Sequence, residues 1–352
     1  MIKVLSSASA RPNFVKLAAV HHALKGRQDV QHVIVHTGQH YDPLLSDIFF
    51  QQLDIGDPTH NLGVKGAPTR EQTIEATMQA FLPVLTQEKP DIVLVYGDVN
   101  GAVGAARAAR KLGIRIGHVE AGLRSFDREM PEELNRIEID QIADLLFTTE
   151  KSAEQNIKNE GLQGAVHFVG NTMIDTLVRM TPHFTSTASP SGVVATIHRP
   201  SNVDAPDALR GILEFLCQVA EIAPVTLPLH VRTQAAVEKF GFQSLLSTLR
   251  VIKPLGYVEF LKLVSQSSCI ITDSGGIQEE AAFLKKRCFT MRRNTERPVT
   301  IDCGSNRLID PANSDDRREV LSFVQKPQSV SVTDIPLWDG KAGERIADIV
   351  IS

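Results

Sequence analysis

VLVYGDVNGA at 93–102 and IITDSGGIQE at 270–279 share one design: an apolar run ends in an aspartate, Asp98 or Asp273, and leads into a helix start. Short apolar runs that alternate with helical periodicity point to an α/β fold, with parallel strands covered by helices on both faces. Working outward from the first stretch, IKVLSS at 2–7, VIVHT at 33–37 and DIVLVYG at 91–97 read as strands, as do GIRIGHVE, DLLFTT and AVHFVG further on. Helical patterns begin at Pro12 and cover 70–88, 101–112 and 150–160. Pro12 suits a first helical turn, where its missing N–H costs nothing, so SARPN reads as strand, tight loop and helix start. Around the second stretch the scheme restarts after Gly170. A helix near 172–181 and the Thr/Ser/Pro-rich 183–192 precede VVATIH at 193–198, VTLPLH at 225–230, RVIKPL at 250–255, CIITDSGG at 269–276 and CFTM at 288–291. The expected division is therefore a Rossmann-like domain over 1–171 and a second over 172–339.

The 352 residues, 42% apolar and 22% charged, fall in the globular range and are long enough for two cores. A net charge of −4 without a basic stripe argues against nucleic acid or an anionic membrane as the main partner. Cys217, Cys269, Cys288 and Cys303 lack CxxC spacing, so reduced thiols are expected rather than a zinc ribbon or a disulfide framework. The start MIKVLSS reads as a strand, not a signal peptide, and no apolar run nears the about 18 residues of a membrane span, so the expected location is the cytoplasm.

Three constellations carry chemistry. Asp273-Ser274-Gly275-Gly276 feeds a helix whose first backbone N–H groups could cradle a diphosphate, although a strand-to-helix turn needs glycine in any case. Glu280, on the first turns of that helix, is placed to accept ribose hydroxyls; the competing reading is a solvated acid on the helix face. Arg11, Lys16, His198-Arg199 and His230-x-Arg232 follow or adjoin strand ends on the face where ligands of parallel sheets bind, as donors to phosphate or as ordinary surface charges. The third constellation is acidic: Asp98, Glu120 and Glu132-Glu133. Carboxylates that converge in a closed site can raise one another's pKa and serve as bases toward an unactivated C–H. Alternatively, Asp98 or Glu132 caps a helix and Glu120 pairs with Arg124. No HExxH or paired Cys/His spacing suggests a metal.

Taken in order, ARP at 10–12, TGQHYD at 37–42, GHVEAGLRSFDREMPEELNR at 117–136, TIHR at 196–199, TDSGGIQEEA at 272–281 and NTERP at 294–298 resemble the non-hydrolysing UDP-N-acetylglucosamine 2-epimerase family over nearly the full length. The resemblance implies a GT-B-like pair of Rossmann-like domains with an interdomain cleft, a C-terminal helix near 341–350 that returns to the first domain, and a homodimer. It implies elimination of UDP to leave a 2-acetamidoglucal and re-addition with the opposite C2 configuration, with neither NAD nor metal. By motif, Asp98, Glu120 and Glu132 become the acid/base carboxylates and His198 sits by the leaving diphosphate. Arg11, Ser274, Gly275 and Gly276 bind the diphosphate, Glu280 the ribose, and His230 and Phe260 line the nucleotide pocket.

The chain departs from the family pattern at Asn13, Val99, Ser201 and Val299. These changes make a UDP-2,3-diacetamido uronic acid an alternative substrate. Gln39-His40 of a segment tied to allosteric activation are kept, whereas Asp42 differs. A GT-B glycosyltransferase, a hydrolysing epimerase and a silent nucleotide-sugar sensor are the competing functions.

Overall fold

The structure is a computed structural model that describes residues 1–38, 49–184 and 190–352, with Arg11 described through its backbone only. Gln39, His40 and Asp42 of the activation segment lie outside the described residues. The chain forms two compact units, residues 1–179 with 336–352, and residues 180–335.

The first unit holds strands β1 (Ile2–Ala8), β2 (Val30–His36), β3 (His60–Asn61), β4 (Ile92–Tyr96), β5 (Arg115–Ala121), β6 (Leu145–Thr148) and β7 (Ala165–Phe168). They pair in parallel in the order β3-β2-β1-β4-β5-β6-β7. The second holds β8 (Val193–Thr196), β9 (Val225–Pro228), β10 (Arg250–Ile252), β11 (Cys269–Thr272), β12 (Arg287–Thr290) and β13 (Asn306–Leu308), parallel in the order β10-β9-β8-β11-β12-β13. Both orders begin as 3-2-1-4-5, the doubly wound Rossmann arrangement of the expected GT-B-like class. Each has a switch point, β1 beside β4 and β8 beside β11, where connections leave in opposite directions. There the carboxyl ends open a crevice.

Each sheet is covered because its strands are apolar on both faces. All five residues of β4, IVLVY, are buried. The helix Asn100–Lys111 that follows carries small residues, and at Gly104 a Cβ would come within 2.6 Å of the Thr77 side chain, so glycine lets it approach the helix Arg70–Glu88 closely. Leu5, Val33, Val93, Val95 and Ile116 form one core with Ile74 and Phe81; Val193, Ala195, Leu227, Ile271 and Phe289 form another with Leu213 and Phe215. The C-terminal helix Ala342–Ile351 packs on the helix Arg11–Leu24, where a Cβ at Gly343 would meet Ala19 O at 2.4 Å. Asp175 caps its start by accepting from Ala342 N (3.1 Å) and Gly343 N (2.6 Å).

The strands of the second unit stop short of the sequence reading. β8 ends at Thr196 instead of 198 and β9 at Pro228 instead of 230. At β8 the cause is local: the N–H groups of His198 and Arg199 donate to the Asp273 carboxylate at 2.9 Å, which draws the chain out of the ladder and into the crevice.

Candidate active site

In the first unit, the crevice between β1 and β4 is organised by Asn13. Its amide oxygen accepts from Ser9 N (3.3 Å) and Ala10 N (3.0 Å), and its Nδ2 donates to Tyr96 O (2.7 Å), which ties the ends of both strands together. One turn on, the Lys16 ammonium lies 2.7 Å from Glu120 Oε1, with both side chains buried. Gly97 (φ +64°) passes beside this pair, and a Cβ there would sit 3.0 Å from Lys16 Nζ. The next residue, Asp98, follows directly on this close approach at the end of β4.

Glu120 interrupts β5. It has φ +75°, and the register between β5 and β6 shifts at this point. A bulge re-aims a side chain that regular pleating would send elsewhere. Lys89 and Lys285 also have positive φ, but they stand at helix ends, where that conformation is common. Glu120 in β5 and Phe126 (φ +59°) in the following loop have no such excuse, and each costs the fold about 1–3 kcal/mol.

The helix Pro131–Ile142 supports this crevice with a buried polar stripe. Arg136 donates from Nη2 to Asp98 Oδ2 and from Nη1 to Glu133 Oε2 (2.8 Å). Asn135 Nδ2 donates to Asp98 O at 2.7 Å. Glu133 accepts from Ser125 N and Oγ, each at 2.9 Å, and from Phe126 N at 3.0 Å. His118 stands between Gly97 O (2.9 Å) and Asp140 Oδ1 (2.6 Å). Burial alone would push the Asp140 carboxyl up, but His118 and Arg124 hold it below the usual range.

In the second unit, Asp273 anchors the crevice between β8 and β11. It is fully buried and accepts from the backbone of His198 and Arg199, from Asn202 Nδ2 (3.1 Å) and from His198 Nδ1 (2.7 Å). Burial works against its charge, yet these donors keep it below its ordinary pKa. The His198 ring is thereby fixed through Nδ1, which leaves Nε2 as the nitrogen available to a ligand. The exposed His230 caps the helix Val231–Phe240, its ring 5.5 Å from that of His198. Ser274 precedes the helix Gly275–Phe283, whose first N–H groups have no partner within the helix. A Cβ on Gly275 would meet Arg297 Nη1 at 2.6 Å and Glu296 Oε1 at 2.8 Å, so a side chain at this turn would have to displace the NTERP ion pair. Glu280 is buried next to Tyr257; burial pushes its carboxyl up to about 8, against the Tyr257 hydroxyl and with help from Glu279.

The geometry thus gathers Lys16, Asp98 and Glu120 in one unit and His198, His230, Ser274, Gly275 and Gly276 in the other. Glu132 is exposed on the first turn of its helix, and Phe260 packs partly buried against Val194, Val264 and Ile270. Arg11 begins its helix; its side chain lies outside the described part. Three alternatives from the sequence fail. Glu120 pairs with Lys16, while Arg124 pairs with Asp140 and Glu160, each at 2.7 Å. Glu280 is buried, not solvated. The helix after Asp98 begins at Asn100 without a side-chain cap. Sequence reasoning missed Asp273 as the residue that orients His198, Arg136 as the partner of Asp98, and the role of Glu296 and Arg297.

The family described as UDP-N-acetylglucosamine 2-epimerase matches residues 22–351. A UDP-2,3-diacetamido-2,3-dideoxy-D-glucuronate 2-epimerase of Pseudomonas aeruginosa is 42% identical over 319 residues, 88% of this chain and 89% of that one. A UDP-N-acetylglucosamine 2-epimerase of Methanocaldococcus jannaschii is 36% identical over 357 residues, 97% of this chain and 96% of the other. The crystal structure of a Methanocaldococcus jannaschii UDP-GlcNAc 2-epimerase in complex with UDP-GlcNAc and UDP superposes with a TM-score of 0.91 at 34% identity, covering 99% of both chains.

Proposed function

Since the chain belongs to the UDP-N-acetylglucosamine 2-epimerase family, a family of isomerases, we propose that it inverts C2 of a UDP-linked 2-acetamido sugar, converting UDP-N-acetylglucosamine to UDP-N-acetylmannosamine and back. The observation that carries this reading is the buried Lys16–Glu120 pair beside Asp98, set at a switch point by a strained bulge. A fold spends strain and buried charge where reacting groups must be held still.

In the forward direction a carboxylate of the Asp98, Glu120 and Glu132 set takes the C2 proton. The C1–C2 double bond forms, and the C1–O bond breaks with its electron pair going to UDP. The product of this half-reaction is the 2-acetamidoglucal. Charge that develops on the diphosphate meets the helix start at Ser274-Gly275-Gly276, the Arg11 guanidinium and the ring of His198. Each aligned donor in a dry site contributes roughly 10²–10³ in rate. Glu280 accepts the ribose hydroxyls, with His230 and Phe260 near the nucleotide. Re-addition of the diphosphate at C1, with a proton delivered to the other face of C2, completes the inversion. None of these bond changes needs a redox cofactor, since no electrons are gained or lost overall.

A second substrate, the UDP-2,3-diacetamido uronic acid, is favoured by the 42% identity to the Pseudomonas aeruginosa enzyme and by the departures at Asn13, Ser201 and Val299. Incubation with each UDP-sugar, read by NMR for the C2 epimer, decides between them. Epimer from the first alone supports the first substrate and from the uronate alone the second. If neither yields epimer while UDP binds, the epimerase reading is lost. The family resemblance also supports a cytoplasmic homodimer, and the subunit count is read by light scattering.

A further inference from the structure

Phe126 is the residue whose placement the epimerase reading leaves unexplained. Its ring is 78% exposed although its backbone, at φ +59°, lies in the left-handed region where glycine would sit without strain. An exposed aromatic ring on a strained backbone is a double loss to the free protein, and it persists only because its surroundings impose it. Here the imposing group is Glu133. Its two buried oxygens take the N–H of Phe126 and the N–H and hydroxyl of Ser125, while Arg136 grips the same carboxylate and reaches Asp98 with its other nitrogen. The loop that carries Phe126 leaves the carboxyl end of β5 after Ala121, one residue past Glu120, on the face where parallel sheets bind ligands. A chain of four side-chain and backbone groups, Phe126, Glu133, Arg136 and Asp98, therefore fixes the backbone that carries an apolar ring relative to a carboxylate of the site.

We infer that Phe126 is a preset platform for the sugar ring of the substrate, a specificity residue for the reaction proposed above, on whose site assignment this inference rests. A pyranose presents a patch of C–H groups on one face, and a 2-acetamido group adds a methyl; both are complementary to the face of an aromatic ring. The sugar is the fitting occupant, because this crevice offers the carboxylates that the proposed reaction brings to C2. Holding the Phe126 backbone in advance lowers the cost of ordering the loop on binding.

The test uses the full chain as wild type, F126G and F126Y. Each is titrated calorimetrically with UDP, with UDP-N-acetylglucosamine and with the UDP-2,3-diacetamido uronic acid, alongside thermal denaturation and light scattering. The expected result is that F126G melts at or above the wild-type temperature and binds UDP unchanged. It binds at least one UDP-sugar about tenfold more weakly, and F126Y retains the wild-type values. An unaltered ratio of UDP-sugar to UDP affinity in F126G for both sugars overturns the inference. So does an equal loss for UDP and UDP-sugar. A lower melting temperature or a changed subunit count also overturns it, by assigning the ring to packing or to a second copy. Because affinities are read without turnover, failure of the epimerase reading shows separately, as absence of epimer from the wild type.

Discussion

The two switch points are built alike in topology and oppositely in chemistry. At β1 and β4 the crevice is lined with charges matched by opposite ones: buried Glu120 by buried Lys16, and partly buried Asp98 by buried Arg136. At β8 and β11 backbone N–H groups and an imidazole are gathered by the buried carboxylate of Asp273, with the Glu296–Arg297 pair beside Gly275. A matched ion pair in a low-dielectric site holds a reactive carboxylate in place, whereas backbone donors at a helix start suit an anion that must be held without reacting. On the proposed function, one sheet topology supplies a reacting site and a holding site, and the sequences at the strand ends decide which.

The sharpest break of this contrast is Glu120→Gln. It leaves Lys16 buried without a counter-charge, at a cost of about 3–5 kcal/mol in unfolding free energy, and removes a carboxylate from the reacting set. Turnover is expected to fall by orders of magnitude while the Kd for UDP holds. Adding Lys16→Met to this variant restores most of the stability in urea titrations but none of the turnover; recovery of activity would remove Glu120 from the chemistry. Next in size is Asp98→Asn, expected to lower turnover by about 10²–10⁴ with little change in UDP affinity. Weakened UDP binding by calorimetry would place Asp98 among the holding groups instead.

On the other side, Asp273→Asn takes away the charge opposite the His198 ring and replaces one of the two oxygens that accept from His198, Arg199 and Asn202 by a donor. A loss of about 1–3 kcal/mol is expected, seen as weaker UDP binding together with slower turnover. If only turnover changed, the division between the two crevices would blur. The effect that leaves turnover aside concerns pH. Glu280 is raised in the folded protein to about 8 from an ordinary value of 4.5. Its contribution to stability is therefore fully present below pH about 4.5 and is lost as pH rises through about 8. Glu280→Gln removes that dependence, so its stability advantage over wild type grows between pH 5 and 8.5, on the order of a few kcal/mol at most. Urea unfolding at the two pH values measures it; an equal difference at both would contradict the burial of a titrating Glu280.

How much of this was legible in the sequence depends on what kind of force is at work. The apolar strands and the helix Arg70–Glu88 declare themselves through local periodicity, and the structure places each close to where the pattern does, with the strand ends of the second unit cut short. Edge strands β3 (HN) and β13 (NRL) do not, since two or three residues at a sheet edge carry no apolar run. The helix Pro131–Ile142 inverts the usual signal. Its inner stripe is Glu133, Arg136 and Asp140, so a search for buried apolar residues passes over the element that steadies the site. The candidate residues themselves were visible as motifs, but their pairings were not. Lys16 finds Glu120 and His198 finds Asp273 only through the fold, and a nearby arginine, Arg124, is the misleading local choice for Glu120.

The most direct test of the central claim is incubation of the protein with UDP-N-acetylglucosamine, and in parallel with the UDP-2,3-diacetamido uronic acid, in D2O, followed by NMR at C2. Deuterium at C2 in step with formation of the epimer, in wild type and not in Glu120→Gln, is the predicted result. Binding of UDP without any C2 exchange from either sugar would contradict it.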